Sequence, residues 1–281
     1  MTLDTEYLRS WIGRQETATD HVARAGLMRM GATLDRDDPI PRDGDPLPPL
    51  WHWTCFLPHV RQSLLGPDGH AKRGDFLPAV DLPRRLWAGG RLRFMQPLRV
   101  SERVTRTSTI ADVSVKEGRA GTLVFVLVRH MIEGENGPAI EEEHDIVYRG
   151  AATQGEPAPQ HRPARIEAAW ARTVVPDDVL LFRYSALTFN SFRIHYDRRY
   201  ATEVEGYPGL VVHAPLMATM LLDLVRRNSA RAVQSFRFRA LAPVFDTAPF
   251  HVRGEESSTG ASLWIAGDDG GLRMDAEAVL A

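Results

Sequence analysis

A chain of 281 residues, 43% hydrophobic and 25% charged, has the composition of a soluble globular protein. It is long for one ordinary domain and comfortable for two of about 130 to 150 residues. Its formal net charge of -2 argues against nucleic-acid binding, which needs a basic surplus. No window approaches the roughly 18 apolar residues of a membrane span, and Met1-Thr2-Leu3-Asp4-Thr5-Glu6 lacks the basic and apolar segments of a secretion signal. The single cysteine, Cys55, excludes an internal disulfide and a cysteine-based metal site. A cytoplasmic setting is expected.

In chain order, Asp4 to about Asp35 is rich in helix formers, with Val22, Ala25, Leu27 and Met28 at roughly helical spacing and Thr17, Thr19 and Asp20 as candidate caps. The Pro-rich stretch Pro39–Pro49 excludes regular helix or central strand. Trp51-His52-Trp53-Thr54-Cys55-Phe56 is a dense aromatic run that has to be largely buried. Strand patterns begin at Leu92-Arg93-Phe94 and continue through Arg103–Val115, Leu123–Ile132 and Ala139–Tyr148, separated by Gly-containing turns. They predict an antiparallel meander. Residues 151–165, with Gly155-Glu156-Pro157-Ala158-Pro159, read as a linker between units 1–150 and 166–281.

The second unit opens with a short strand expected at Leu180–Ser185, then a polar loop at Asn190–Asp197, a short helix at Tyr200–Glu205 and a turn at Pro208-Gly209. His213-Ala214-Pro215-Leu216 starts a long apolar helix, Leu216–Val225, with proline where a helix N-terminus tolerates it. Four strands follow: Ala232–Ala240, Ala248–Glu255, Ala261–Ala266 and Leu272–Ala278. A weak internal repeat relates Leu92-Arg93-Phe94 before Pro97 to Phe236-Arg237-Phe238 before Pro243, each followed by three strands. Two related units, each a helix against a curved antiparallel sheet, account for this better than one sandwich.

The chemistry concentrates between Tyr184 and Leu216. Asn190, Arg193 and His195 put an amide, a guanidinium and an imidazole within six residues, shortly before the helix start at His213-Ala214-Pro215. Histidine is the side chain best matched to proton transfer near neutral pH. A helix N-terminus offers unpaired N–H groups to a developing oxyanion. Addition of water to a conjugated thioester needs both. For each residue a plainer role stands beside this one: His195 as a structural loop histidine, Asn190 as a turn former, Arg193 in a surface ion pair with Asp197 or Glu203, and His213 as a helix buttress.

Thr188 through His195, with His213-Ala214-Pro215, resembles the hydratase-2, or MaoC-like, motif of the hot dog fold, in which an antiparallel sheet wraps a long helix. The wording Ser185-Ala186-Leu187-Thr188-Phe189-Asn190 followed by Arg193-Ile194-His195-Tyr196-Asp197 is similar to the 3-hydroxyacyl-thioester dehydratase type 2 group, which includes mesaconyl-C4-CoA and itaconyl-CoA hydratases. The resemblance implies an α+β double hot dog with a degenerate first repeat. It implies a cofactor-free hydratase or dehydratase of itaconate-type metabolism, working as a homodimer on an acyl-CoA. In that family an aspartate and a histidine five residues later hold the attacking water. The histidine maps to His195, but the aspartate position is Asn190, and an amide cannot accept a proton as a carboxylate does. Asn190 is therefore expected to orient water while His195 carries the proton and the Ala214 N–H holds the oxyanion. Arg193 is expected to meet a substrate carboxylate bidentately, with Tyr184, His213 and Tyr207 also against the substrate.

Two other readings stay open: a thioesterase on the same fold, and a non-catalytic acyl-CoA binding module, which the Asn190 replacement motivates. Trp51, Trp53 and Trp87 read as core, with a lesser claim on the wall of an acyl pocket. Arg84-Arg85 reads as a solvated pair with a lesser claim on coenzyme A phosphates. Glu141-Glu142-Glu143-His144-Asp145 alternates between two strand faces and reads as a solvated edge, not a metal cluster. Gly89-Gly90 and Gly270-Gly271 lack phosphate-loop spacing, and no serine elbow, HExxH or cysteine nucleophile appears.

Overall fold

The computed structural model describes residues 3–118, 121–150 and 162–281. Among these residues ten strands form one antiparallel sheet in the order β1-β3-β4-β5-β2-β7-β10-β9-β8-β6. The first half comprises β1 (Gln15–His21), β2 (Arg84–Phe94), β3 (Arg103–Gly118), β4 (Gly121–Gly134) and β5 (Gly137–Arg149). The second comprises β6 (Trp170–Val174), β7 (Val233–Ala240), β8 (Phe250–Glu256), β9 (Gly260–Gly267) and β10 (Leu272–Leu280). Read outward from the β2–β7 seam, both halves run in the same relative order, so the weak sequence repeat is a true structural repeat. This is a double hot dog.

The halves differ in what their sheets enclose. Helix α4 (Ala214–Asn228) packs against β6, β8, β9 and β10, burying every residue from Leu216 to Val225. The equivalent stretch of the first half holds only α2 (Arg24–Thr33), which packs against α3 (Asp178–Leu187) and the short turn Trp51–Thr54, followed by a largely irregular path to β2. The main hydrophobic core runs across both halves, joining Leu27, Met30 and Trp51 to Leu181, Leu216 and Leu221. A satellite cluster of Ile110, Val113, Val126 and Tyr148 lies under residues 76–82. The boundary expected at 151–165 falls, for residues 151–161, outside the described residues.

Three sequence expectations are corrected. The expected helix from Asp4 to Asp35 is broken into α1 (Thr5–Arg9), β1 and α2. Gln15–His21 is a strand because β3 offers it an antiparallel partner, with Gln15 Nε2 donating to Thr109 Oγ1 at 3.0 Å. The expected caps Thr17, Thr19 and Asp20 lie within that strand. Leu180–Ser185 is not a strand but part of α3, whose start is fixed by Asp177 accepting the Leu180 N–H at 2.8 Å. Residues 141–145 are not a solvated edge: β5 is an interior strand between β4 and β2, and the Glu142 side chain is buried.

The seam needs glycine. A Cβ on Gly89 would stand 2.6 Å from the Phe238 carbonyl oxygen, and one on Gly90 would stand 3.0 Å from the Phe238 ring. Substituting Gly89→Val is expected to lower the melting temperature by about 3–10 °C, the range for overpacking a tight contact in a domain this size. Calorimetry showing an unchanged transition would contradict the seam's close packing.

Candidate active site

The segment between α3 and α4 is built as a platform over the start of α4. Asp177 fixes α3, and the chain then passes through Phe189 in a left-handed conformation (φ 49). The Asn190 carboxamide oxygen accepts the Phe192 N–H at 3.0 Å, closing an Asx turn. Residues Arg193–His195 form one 3-10 turn that brings the imidazole inward. The Val211 N–H returns to the Ile194 carbonyl at 2.9 Å, which lays the strand entering α4 alongside the turn.

His195 is 8% exposed. Its Nδ1–H donates to the Val211 carbonyl at 2.7 Å, which fixes the tautomer and leaves Nε2 with the lone pair. Among the described residues Nε2 has no hydrogen-bond partner. The ring stacks on His213 at 3.7 Å between centroids and 19° between planes. His213 is the N-cap residue of α4, so the imidazole lies at the helix tip. Burial pushes His195 down to about 4, against the opposing pull of the Val211 carbonyl. His213 is also held well below the usual histidine value by burial and by His195. Its Nε2 lies 2.8 Å from Ser185 Oγ. Ala214 and Pro215 open the first turn, where backbone N–H groups have no intrahelical acceptor; Pro215 has none to offer, so the Ala214 amide is the foremost free donor.

Beside this platform lies a cavity of roughly 650 Å³, a size that holds a small organic ligand. One wall comes from the second half: Tyr184, Ser185, Asn190, Ser191 and Pro215. The other comes from the first-half sheet and the loop before it, including Trp53, Trp87, Arg106, His130, Glu142 and His144. His195 does not itself line the cavity; its ring stacks on His213, whose Nε2 meets the wall residue Ser185.

The structure thus brings His195, Asn190, Ala214, His213 and Tyr184 together, and leaves two expected residues elsewhere. Arg193 does not face the cavity: its guanidinium donates to Asp197 Oδ2 at 2.7 and 3.0 Å and to the Pro67 carbonyl at 2.9 Å, and lies over the Tyr200 ring. The i,i+4 spacing to Asp197 makes that pair locally available. Tyr207 packs against Phe245 and Arg84 at a small separate pocket. Arg84 is not solvated but pairs with Glu205 at 3.3 Å.

Two groups on the wall escaped the sequence reading. The first is the dyad Asp68–His70, with Nδ1 2.9 Å from Oδ2. Burial alone would raise Asp68, but the His70 contacts bring it to about 2, and burial lowers His70. Their loop is bolted to the motif: Ser191 Oγ donates to the Gly69 carbonyl at 2.6 Å, and the Arg193 N–H to that of Asp68 at 2.9 Å. Only glycine fits at 69, where φ is +92 and a Cβ would stand 1.8 Å from the Ser191 carbonyl oxygen. Pro67-Asp68-Gly69 is a legible turn signal, but nothing local says what it docks on. The second is a hydrogen-bonded chain on the sheet. Glu142 meets His52 at 3.0 Å, Trp53 at 2.8 Å and His144 at 2.5 Å; His144 meets His130, and His130 meets Ser108. Burial opposes the Glu142 charge, yet His144 and His52 hold it well below the usual carboxylate range. The period-2 alternation of β5, with Ile140, Glu142 and His144 on one face, carried that signal.

His70, His130, His195 and His213 all have lowered folded-state values caused chiefly by burial. The unfolded chain takes up protons below about 6.5 while these rings resist, so their stabilising effect is full above that pH and is lost as pH falls toward about 4. His195 alone contributes on the order of 3 kcal/mol to this slope. Urea midpoints are therefore expected to drop steadily from near pH 7 to near pH 4.5. Midpoints that stay level over that window would contradict the buried, neutral rings.

Known proteins resemble this chain over most of its length. A family model described as hydroxyacyl-thioester dehydratase type 2 matches residues 50–246. A mesaconyl-C(4)-CoA hydratase of Chloroflexus aurantiacus is 46% identical over 270 residues, covering 95% of either chain. The mitochondrial hydroxyacyl-thioester dehydratase type 2 of Schizosaccharomyces pombe is 27% identical, covering 88% of this chain and 91% of that one. Among solved structures, a MaoC-like dehydratase from Phytophthora capsici shares the fold with a TM-score of 0.64 at 17% identity, over 99% of each chain.

Proposed function

The chain belongs to the hydroxyacyl-thioester dehydratase type 2 family, and from that premise we propose that it adds water reversibly to a short, branched, dicarboxylic enoyl-CoA of the mesaconyl-C4 or itaconyl kind. The enzyme class is that of a carbon–oxygen lyase. The substrate class follows the 46% identity to a mesaconyl-C(4)-CoA hydratase, whose named acyl group keeps one carboxylate free of the thioester.

In the proposed hydration, His195 Nε2 takes a proton from water as the water oxygen bonds to the β-carbon. The π electrons move onto the thioester oxygen, where the Ala214 N–H at the start of α4 receives the charge. The proton then passes from His195 to the α-carbon, so one water is added and the imidazole is restored. The Nδ1–H bond to Val211 is what makes Nε2 the working atom. Its low pKa keeps the ring neutral, and so ready to accept, throughout the ordinary pH range. Asn190 commits its oxygen to the Phe192 N–H, which leaves its NH2 group to position the water by donating to the oxygen. The observation that carries this reading is the stack of His195 on His213, an imidazole at the tip of a buried helix beside a ligand-sized cavity.

A panel of enoyl-CoAs with products resolved by mass tests it. Gain of one water is expected on the dicarboxylic members, and His195→Ala is expected to lower kcat by about 10²–10⁴-fold, the usual worth of a general acid–base group. Release of free coenzyme A from saturated acyl-CoAs would make the protein a thioesterase instead. Binding without turnover, unaffected by His195→Ala, would make it an acyl-CoA binding module.

A further inference from the structure

The concave face of the first-half sheet is apolar at both ends and polar across its middle. Val104, Ile132 and Ile140 lie at one end, and Ile110, Val126 and Tyr148 at the other. Between them run Ser108 on β3, His130 on β4, and Glu142 and His144 on β5, with Arg106 on β3 at the border, level with Ile132. Polar groups on such a face are costly unless each finds a partner. Ser108, His130, His144 and Glu142 satisfy one another and His52 through the chain of hydrogen bonds already described.

Arg106 stands outside that chain. Its Nε is sealed from solvent and, among the described residues, has no hydrogen-bond partner. Among the described residues the nearest carboxylate is Glu16, 3.9 Å from a terminal nitrogen and itself 44% exposed. The Phe56 ring covers the guanidinium at 5.0 Å. Burial lowers its pKa against the opposing pull of Glu16 and of Glu142, neither of which hydrogen-bonds to it. The same side chain lines the cavity whose other wall carries Ser185, Asn190 and Pro215. Arg85, the second guanidinium on the wall, acts on Tyr148 and Asp68 instead.

The geometry points to Arg106 as the residue that reads the free carboxylate of the substrate, the role that Arg193, tied to Asp197, leaves open. This inference rests on the dicarboxylic reading above and gives it a residue. A thioester at the α4 tip and a carboxylate at Arg106 span the two walls of one cavity. The planar fork suits a carboxylate better than a point charge does.

Calorimetric titration with succinyl-CoA and butyryl-CoA isolates this contact, since both are saturated four-carbon thioesters and only the first ends in a carboxylate. Wild-type protein is expected to favour succinyl-CoA by about 10- to 100-fold, the worth of a hydrogen bond to a charged group. Arg106→Gln is expected to bring the ratio of the two affinities close to one, and Arg106→Lys to keep part of it. Because both affinities come from one preparation, loss of folded material does not mimic the effect. No preference in the wild type, an unchanged ratio in Arg106→Gln, or a loss that follows Arg85→Gln instead would overturn the assignment. A preference that depends on Arg106, in a protein that fails to hydrate mesaconyl-C4-CoA, would instead remove the proposed reaction and leave the carboxylate site standing.

Discussion

The contact on which the site depends is the bond from His195 Nδ1–H to the Val211 carbonyl. Val211 lies two residues before the N-cap of α4, so that bond fixes the ring's tautomer, its orientation and its distance from the helix start together. Stacking on His213 holds the ring in that plane. Burial disfavours the imidazolium and leaves the ring neutral, with its free lone pair on Nε2. The cost of burying these rings uncharged is borne by the packing around α4, whose residues Leu216–Val225 are all buried.

The repeat explains why there is a cavity. In the second half a fifteen-residue helix fills the sheet. In the first half the chain supplies only a ten-residue helix, which packs elsewhere, and an irregular loop. The unfilled concavity is roofed by residues 52–71 and meets the α4 tip across the seam. Its polar middle band is alien to a sheet that only has to bury a helix. Gly69, pressed onto Ser191, ties the roof to the motif loop, so that loss of one half's geometry would be felt in the other.

Much of this was legible in the sequence because it is periodic or local. The strands of both halves, the apolar helix begun by Ala214-Pro215 and the repeat follow from alternation, turn residues and a proline at a tolerated position. The neighbourhood of Asn190, His195 and Ala214 was legible from the motif spacing. What escaped was set by distant partners. Gln15–His21 became a strand only because β3 lies beside it. Leu180–Ser185 looked extended because its apolar residues are consecutive, while the deciding signal was the cap Asp177. Arg193 carried the right chemistry for a carboxylate, but Asp197, one turn away, claims it. Glu142 looked solvated among acidic neighbours, since sequence alone does not reveal that β5 is an interior strand.

The account stands on one ligand being gripped at once by an imidazole and a helix start. A crystal structure with a bound 3-hydroxyacyl-CoA product tests that directly. The account predicts the thioester oxygen within hydrogen-bond reach of the Ala214 N–H, about 2.7–3.1 Å, and the 3-hydroxyl at a similar distance from His195 Nε2. A product seated in the cavity with its thioester turned away from α4, or with its hydroxyl out of reach of His195, would contradict it.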